Sequence, residues 1–126
     1  MLPVTSLLTG GLAALLVWLS LLVSLRRIRA KVSIGDGGDE VLIRRIRAQA
    51  NLVEYAPIGL IAMALVEYRG VSTVTVLGIG AALVIGRLVH AFGMLANILP
   101  FRSIGMILTY ISLLTSAGWL VFGPII

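Results

Sequence analysis

Cysteine is absent from the chain, so disulfides, thiolate metal sites and a cysteine nucleophile are excluded, and any thiol chemistry must use a thiol that a ligand brings. Histidine occurs once, at His90, too few for a dedicated zinc site, and no metal is expected. The five acidic residues include no spaced pair of the kind that acid–base hydrolysis needs. No glycine-rich loop leads into a helix in the nucleotide-cradling pattern. Charge of either sign is scarce, at 12% of residues.

What fills the 126 residues instead is apolar: 60% of the chain, with a mean hydropathy of +1.12. A soluble domain of this size would leave most of that surface with no core to enter, which points to a membrane protein. A net charge of +5 points to a nucleic-acid partner only where it forms a solvated basic face, and these cations sit instead at the ends of apolar runs. Membrane topology explains them, and no nucleic acid is expected.

Four spans are legible, at about 5–25, 42–66, 72–95 and 103–122, giving one all-α four-helix bundle domain over 1–126. The first is uncharged and roughly 30 Å long at about 1.5 Å per residue. It lacks a positive leader and a small-x-small cleavage site, so it reads as retained. Seven of the ten basic residues (Arg26, Arg27, Arg29, Lys31, Arg44, Arg45, Arg47) cluster around the connection between the first two spans. By the positive-inside rule the 26–41 loop is cytoplasmic, and both termini lie on the other side. Within the loop, Gly35-Asp36-Gly37-Gly38-Asp39-Glu40 is a solvated turn without the ligand spacing of a calcium loop. Asn97 to Arg102 reads as a short cytoplasmic turn. Gly78, Ala82, Gly86 and Gly93 form a small-residue stripe, a close helix seam either within a subunit or between subunits.

A charge at membrane depth costs from about 3 to well over 10 kcal/mol, so each one calls for a partner or a function. Arg44, Arg47, Asn51 and Glu54 follow one another at helical spacing on the second span, and Arg87 and His90 lie three apart on the third. Both groups fall near the cytoplasmic end, where Arg102 opens the fourth helix. One reading is internal satisfaction, with Glu54 paired to Arg87, Asn51 to a backbone group and His90 as a neutral core residue. The other is an anionic ligand entering from the cytoplasm, since four arginines face one glutamate there. Pro57 fits either a cavity or an ordinary kink.

The run Arg47-Ala48-Gln49-Ala50-Asn51-Leu52-Val53-Glu54-Tyr55-Ala56-Pro57 resembles the R-A-Q-x-N-x-x-E-Y-x-P signature of the MAPEG family, the membrane-associated proteins in eicosanoid and glutathione metabolism. Gly86-Arg87-Leu88-Val89-His90-Ala91-Phe92-Gly93 and Arg102-Ser103-Ile104-Gly105-Met106 extend the likeness over essentially the whole chain. The glycine-rich loop and the segment at Arg102 look most like the short bacterial inner-membrane members. The resemblance implies a homotrimer with glutathione bound between subunits near the cytoplasmic face. Arg47, Asn51, Glu54, Arg87, His90 and Ser103 would then hold the tripeptide, and Arg102 would stabilise its thiolate. The implied activity is a glutathione-dependent transferase or peroxidase acting on hydrophobic electrophiles that partition into the bilayer. Met94 and Met106 depart from the tyrosines usual at or near those positions in catalytic eukaryotic members. The family also includes a non-catalytic lipid-presenting protein, so a lipid-binding or scaffolding role is the alternative. A small multidrug exporter is a third reading, opposed by the lack of charge in the first span.

Overall fold

The computed structural model describes residues 1–124 as four helices in sequence: α1 Pro3–Ala30, α2 Glu40–Tyr68, α3 Thr73–Ala96 and α4 Leu99–Phe122. All four are long and apolar enough to cross a membrane. The helices overrun the expected spans where charged residues continue the helical turn. Arg26, Arg27 and Arg29 belong to the last turns of α1, and Arg44, Arg45 and Arg47 to α2, which shortens the connection to residues 31–39.

Local chemistry sets each end. Lys31 and Asn97 stop α1 and α3 in the left-handed region, at φ 56° and 59°. Asp39 caps α2 by accepting from the Leu42 amide at 2.7 Å, and Ser72 caps α3 through the Thr75 amide at 3.3 Å. Helix α4 starts earlier than expected because Pro100 stands in its first turn, where a missing N–H costs nothing. Helix α2 runs unbroken through Pro57.

The core lies in two clusters. Leu12, Leu19, Ala48, Leu52, Ala56, Leu83 and Ala91 pack α1, α2 and α3 toward the loop side. Val4, Met63, Val66, Val76 and Ile79 do so toward the termini. Large apolar residues such as Val17, Leu21, Ile58, Ile61, Ile85 and Ile111 cover the outside, as lipid contact requires.

The α3–α4 seam is the closest. A Cβ at Gly105 would lie 2.5 Å from the His90 amide nitrogen and 2.6 Å from the Gly86 carbonyl, and one at Gly93 would lie 2.6 Å from the Arg102 nitrogen. Gly86 and Gly93 of the expected stripe therefore serve a seam inside the subunit. Gly78 has open space around it, and the close approach on the opposite face is made by Gly80, against Leu8 and Met63.

At the terminal end, α2 fastens both outer helices. Glu67 accepts from the Val4 and Thr5 amides at 2.9 and 2.8 Å and from Thr5 Oγ1 at 2.6 Å, so a carboxylate satisfies the N-terminus of α1. Arg69 donates to the Trp119 and Leu120 carbonyls at 3.4 and 2.9 Å, serving the C-terminus of α4 in the complementary way.

Candidate functional site

The inward face of α2 is set by Ala48, Leu52, Ala56, Gly59 and Met63. At about 100° per residue, Arg47 lies roughly 140° and Glu54 roughly 160° from that direction, with Asn51 on the flank at roughly 100°. The polar stripe is therefore one face of the helix, but a face that points out of the subunit. Arg47 and Glu54 are exposed there, and neither makes an ion pair or side-chain hydrogen bond among the described residues.

The Glu54–Arg87 pairing does not form. Arg87 is only 2% exposed and is surrounded by neutral acceptors. Nε donates to Thr109 Oγ1 at 2.9 Å; Nη1 donates to Asn51 Oδ1 and, at 3.5 Å, to the Asn51 carbonyl; Nη2 donates to the Gly105 carbonyl at 3.4 Å and Met106 Sδ at 3.3 Å. Its guanidinium carbon sits 5.4 Å from the centre of the Tyr55 ring. Tyr55 in turn packs against Tyr110 of α4, ring centres 6.0 Å apart. Arg87 of α3 is thus a positive charge held without a carboxylate by groups from two helices, α2 and α4.

One turn further along α3, buried His90 places Nδ1 3.2 Å from the Arg102 carbonyl. The half-buried Arg102 side chain turns back over the end of α3: Nε donates to the Gly93 carbonyl at 3.3 Å and Nη2 to Asn97 Oδ1 at 2.5 Å. Nη1 has no partner among the described residues. Ser103 is exposed and donates to the Leu99 carbonyl at 3.3 Å.

Within one subunit the structure therefore joins Asn51 to Arg87 and His90 to Arg102, and leaves Arg47, Glu54 and Ser103 on the outside. Thr109, Tyr55 and Met106 complete the surroundings of Arg87. The signal for Thr109 was its four-residue spacing from Gly105, opposite Gly86 in the seam; Tyr55 stood within the signature run itself. No three His, Asp or Glu side chains come together as a metal site among the described residues.

Chemically, the arrangement offers an outward guanidinium and carboxylate, Arg47 and Glu54, beside an amide already polarised by Arg87. These groups complement a ligand that carries both carboxylate and ammonium ends.

Comparison with known proteins identifies the family. The MAPEG family matches over residues 5–122. Inner membrane protein YecN of Escherichia coli K12 is 37% identical over 102 residues, covering 81% of this chain and 78% of that protein. The protein of the same name from Escherichia coli O6:H1 matches to the same extent. No solved structure gives a significant match. With the signature run, the four helices and a family match over nearly its full length, the chain belongs to the MAPEG family.

Proposed function

We propose that this protein is a glutathione-dependent transferase or peroxidase of the bacterial inner membrane, acting on lipophilic electrophiles that reach it through the bilayer. The family is associated with glutathione and lipid metabolism, and the named relative is an inner membrane protein. The reading is carried by one observation: Arg47 and Glu54 stand outward and unpaired on the face of α2 that also bears Asn51. A bare carboxylate and guanidinium against lipid are costly, so this face calls for a neighbouring subunit and a polar ligand. A homotrimer with the tripeptide bound between subunits, on the cytoplasmic side where the basic loop lies, satisfies both needs.

The residues fit such a ligand. Arg47 would take a carboxylate of the tripeptide, Glu54 its ammonium, and Asn51, oriented by Arg87, a peptide group. His90 and Ser103 lie beside the Arg102 backbone and side chain, and Arg102 would use its free Nη1 on the sulfur. Glutathione supplies the thiol that the cysteine-free chain lacks. A guanidinium beside a thiol favours its charged form, each unit of depression from about 8.5 being worth about 1.4 kcal/mol.

The engagement of Arg102 with Gly93 and Asn97 favours a second reading, in which that arginine only caps α3 and the protein binds lipid without catalysis. Calorimetric titration of the purified protein with glutathione and an S-alkyl analogue, followed by thiolate absorbance against pH, separates the two. The enzyme reading expects saturable binding of both ligands and a lowered thiol pKa. Absence of binding by either ligand rejects it in favour of the scaffold.

A further inference from the structure

The loop-side end of the α1–α2 hairpin carries more positive charge than its own carboxylates balance. Arg26 pairs with Asp39 at 2.6 Å and Arg44 with Glu40 at 3.6 Å. The third carboxylate, Asp36, accepts from the Gly38 amide. Arg45 is spent on the Leu22 carbonyl at 2.6 Å. Arg27, Arg29 and Lys31 remain without a carboxylate, and of these Arg27 and Lys31 stand one turn apart on one side of the end of α1.

Arg27 and Lys31 line a shallow, open hollow of about 280 Å³ on the surface, together with Ile28, Val32 and Ser33. Arg27 Nη1 holds the Gly35 carbonyl at 2.6 Å, fixing the loop beside the hollow, and its other donors have no partner among the described residues. Lys31 has none either. Ile28 is 75% exposed and Ile34, in the loop, 90% exposed. Two bare isoleucines beside unpaired cations suit the headgroup layer of a bilayer better than water.

We propose that this hollow binds the headgroup of an anionic phospholipid from the leaflet on the loop side. Arg27 and Lys31 take the phosphate oxygens, the Ser33 hydroxyl lies beside them, and Ile28 and Val32 meet the glycerol and upper acyl carbons. The occupant is a lipid rather than free phosphate because two of the five lining residues are aliphatic, and free phosphate has nothing to place against them. This site lies on a different surface from the α2 face proposed for glutathione and does not depend on that reading.

The test is native mass spectrometry of the purified full-length protein in detergent with an equimolar mixture of dioleoyl phosphatidylglycerol and dioleoyl phosphatidylethanolamine. The wild-type protein is expected to retain phosphatidylglycerol preferentially, a measurement that needs no variant. The double substitution Arg27→Gln/Lys31→Gln should lower that selectivity roughly 25-fold, about fivefold per cation. Arg29→Glu changes the net charge by the same two units outside the hollow and should leave selectivity within about twofold of wild type, unlike a general charge effect. Ile28→Ser should weaken retention, and millimolar inorganic phosphate should not displace the lipid. Equal retention of the two lipids by wild type, equal loss in the double variant and Arg29→Glu, or displacement by phosphate alone would each overturn the proposal.

Discussion

Arg87 of α3 donates to Thr109 of α4 at 2.9 Å while no carboxylate lies in ion-pairing range of its guanidinium. The charge is spread over a hydroxyl, an amide, carbonyls, a thioether and an aromatic ring contributed by α2 and α4. Thr109→Val preserves shape and removes one acceptor, leaving a buried charged donor unpaired. It is expected to destabilise the subunit by about 1–3 kcal/mol, read as a lower unfolding temperature in detergent, with Thr109→Ser close to wild type.

A glycine inside the α3–α4 seam and one outside it should respond differently to one added methyl group. Gly105→Ala drives its Cβ into the His90 backbone and the Gly86 carbonyl, where nothing flexible can yield, and overpacking of this kind costs about 1–3 kcal/mol. Gly78→Ala meets open space and should be neutral to slightly stabilising for the subunit. Thermal unfolding of both variants checks the contrast.

Asp39 gives the loop a pH dependence. The side-chain hydrogen bond from Arg26 and then the Leu42 amide hold its carboxyl below the ordinary range. A depressed folded value means that the contribution is fully present above the unfolded value of about 3.9 and is lost as the pH falls through the lower folded one. Unfolding temperature should therefore drop below about pH 4 in wild type and less in Asp39→Asn, which keeps an N-cap acceptor but cannot titrate. Asp39→Ala should be less stable than Asp39→Asn at neutral pH.

Glu67→Ala should loosen the start of α1, because two amides and a hydroxyl lose their acceptor together. A loss of about 0.5–2 kcal/mol, the range for removing a helix cap, is expected. Faster hydrogen exchange confined to the first turn of α1 is the local signature.

Arg102→Lys separates the roles suggested for that side chain. A lysine cannot hold Gly93 and Asn97 in a planar fork while keeping a further donor for sulfur. Glutathione affinity is expected to stay within a few-fold of wild type while the bound thiol pKa returns toward the free value of about 8.5. An unchanged thiol pKa in this variant would remove Arg102 from the proposed chemistry.

The four helices were legible because an uninterrupted apolar run of bilayer length has few other uses, and the signature run pointed to the family from its residue types alone. Directions within the bundle were less so. Spacing put Arg47, Asn51 and Glu54 on one face, but only the small and apolar set from Ala48 to Met63 says that this face is turned outward. Pro100 reads as a turn in sequence and stands inside a helix because first-turn amides need no partner. The partnership of Arg87 with Thr109 depends on the register of α3 against α4, which the meeting of Gly86 with Gly105 decides, and register is a property of two helices together. The glycine stripe was half right for the same reason: Gly86 and Gly93 meet α4, whereas Gly78 meets nothing and Gly80, off the stripe, packs against α1 and α2.

The grip of Arg69 on the end of α4 is one of two polar fastenings between the helical hairpins. Among the described residues, the side-chain hydrogen bonds joining the α1–α2 hairpin to the α3–α4 hairpin are those of Arg69 at the terminal end and of Arg87 to Asn51 toward the loop. Eighteen residues of α2 separate the two attachment points, about 27 Å at 1.5 Å per residue. Over that length a rotation of about 5° would displace one end relative to the other by about 2.4 Å, enough to part a hydrogen bond, so neither fastening fixes the hairpins without the other. The polar fastening of one hairpin to the other is thus confined to two points near opposite ends of α2, and between them the apolar clusters alone hold the hairpins together.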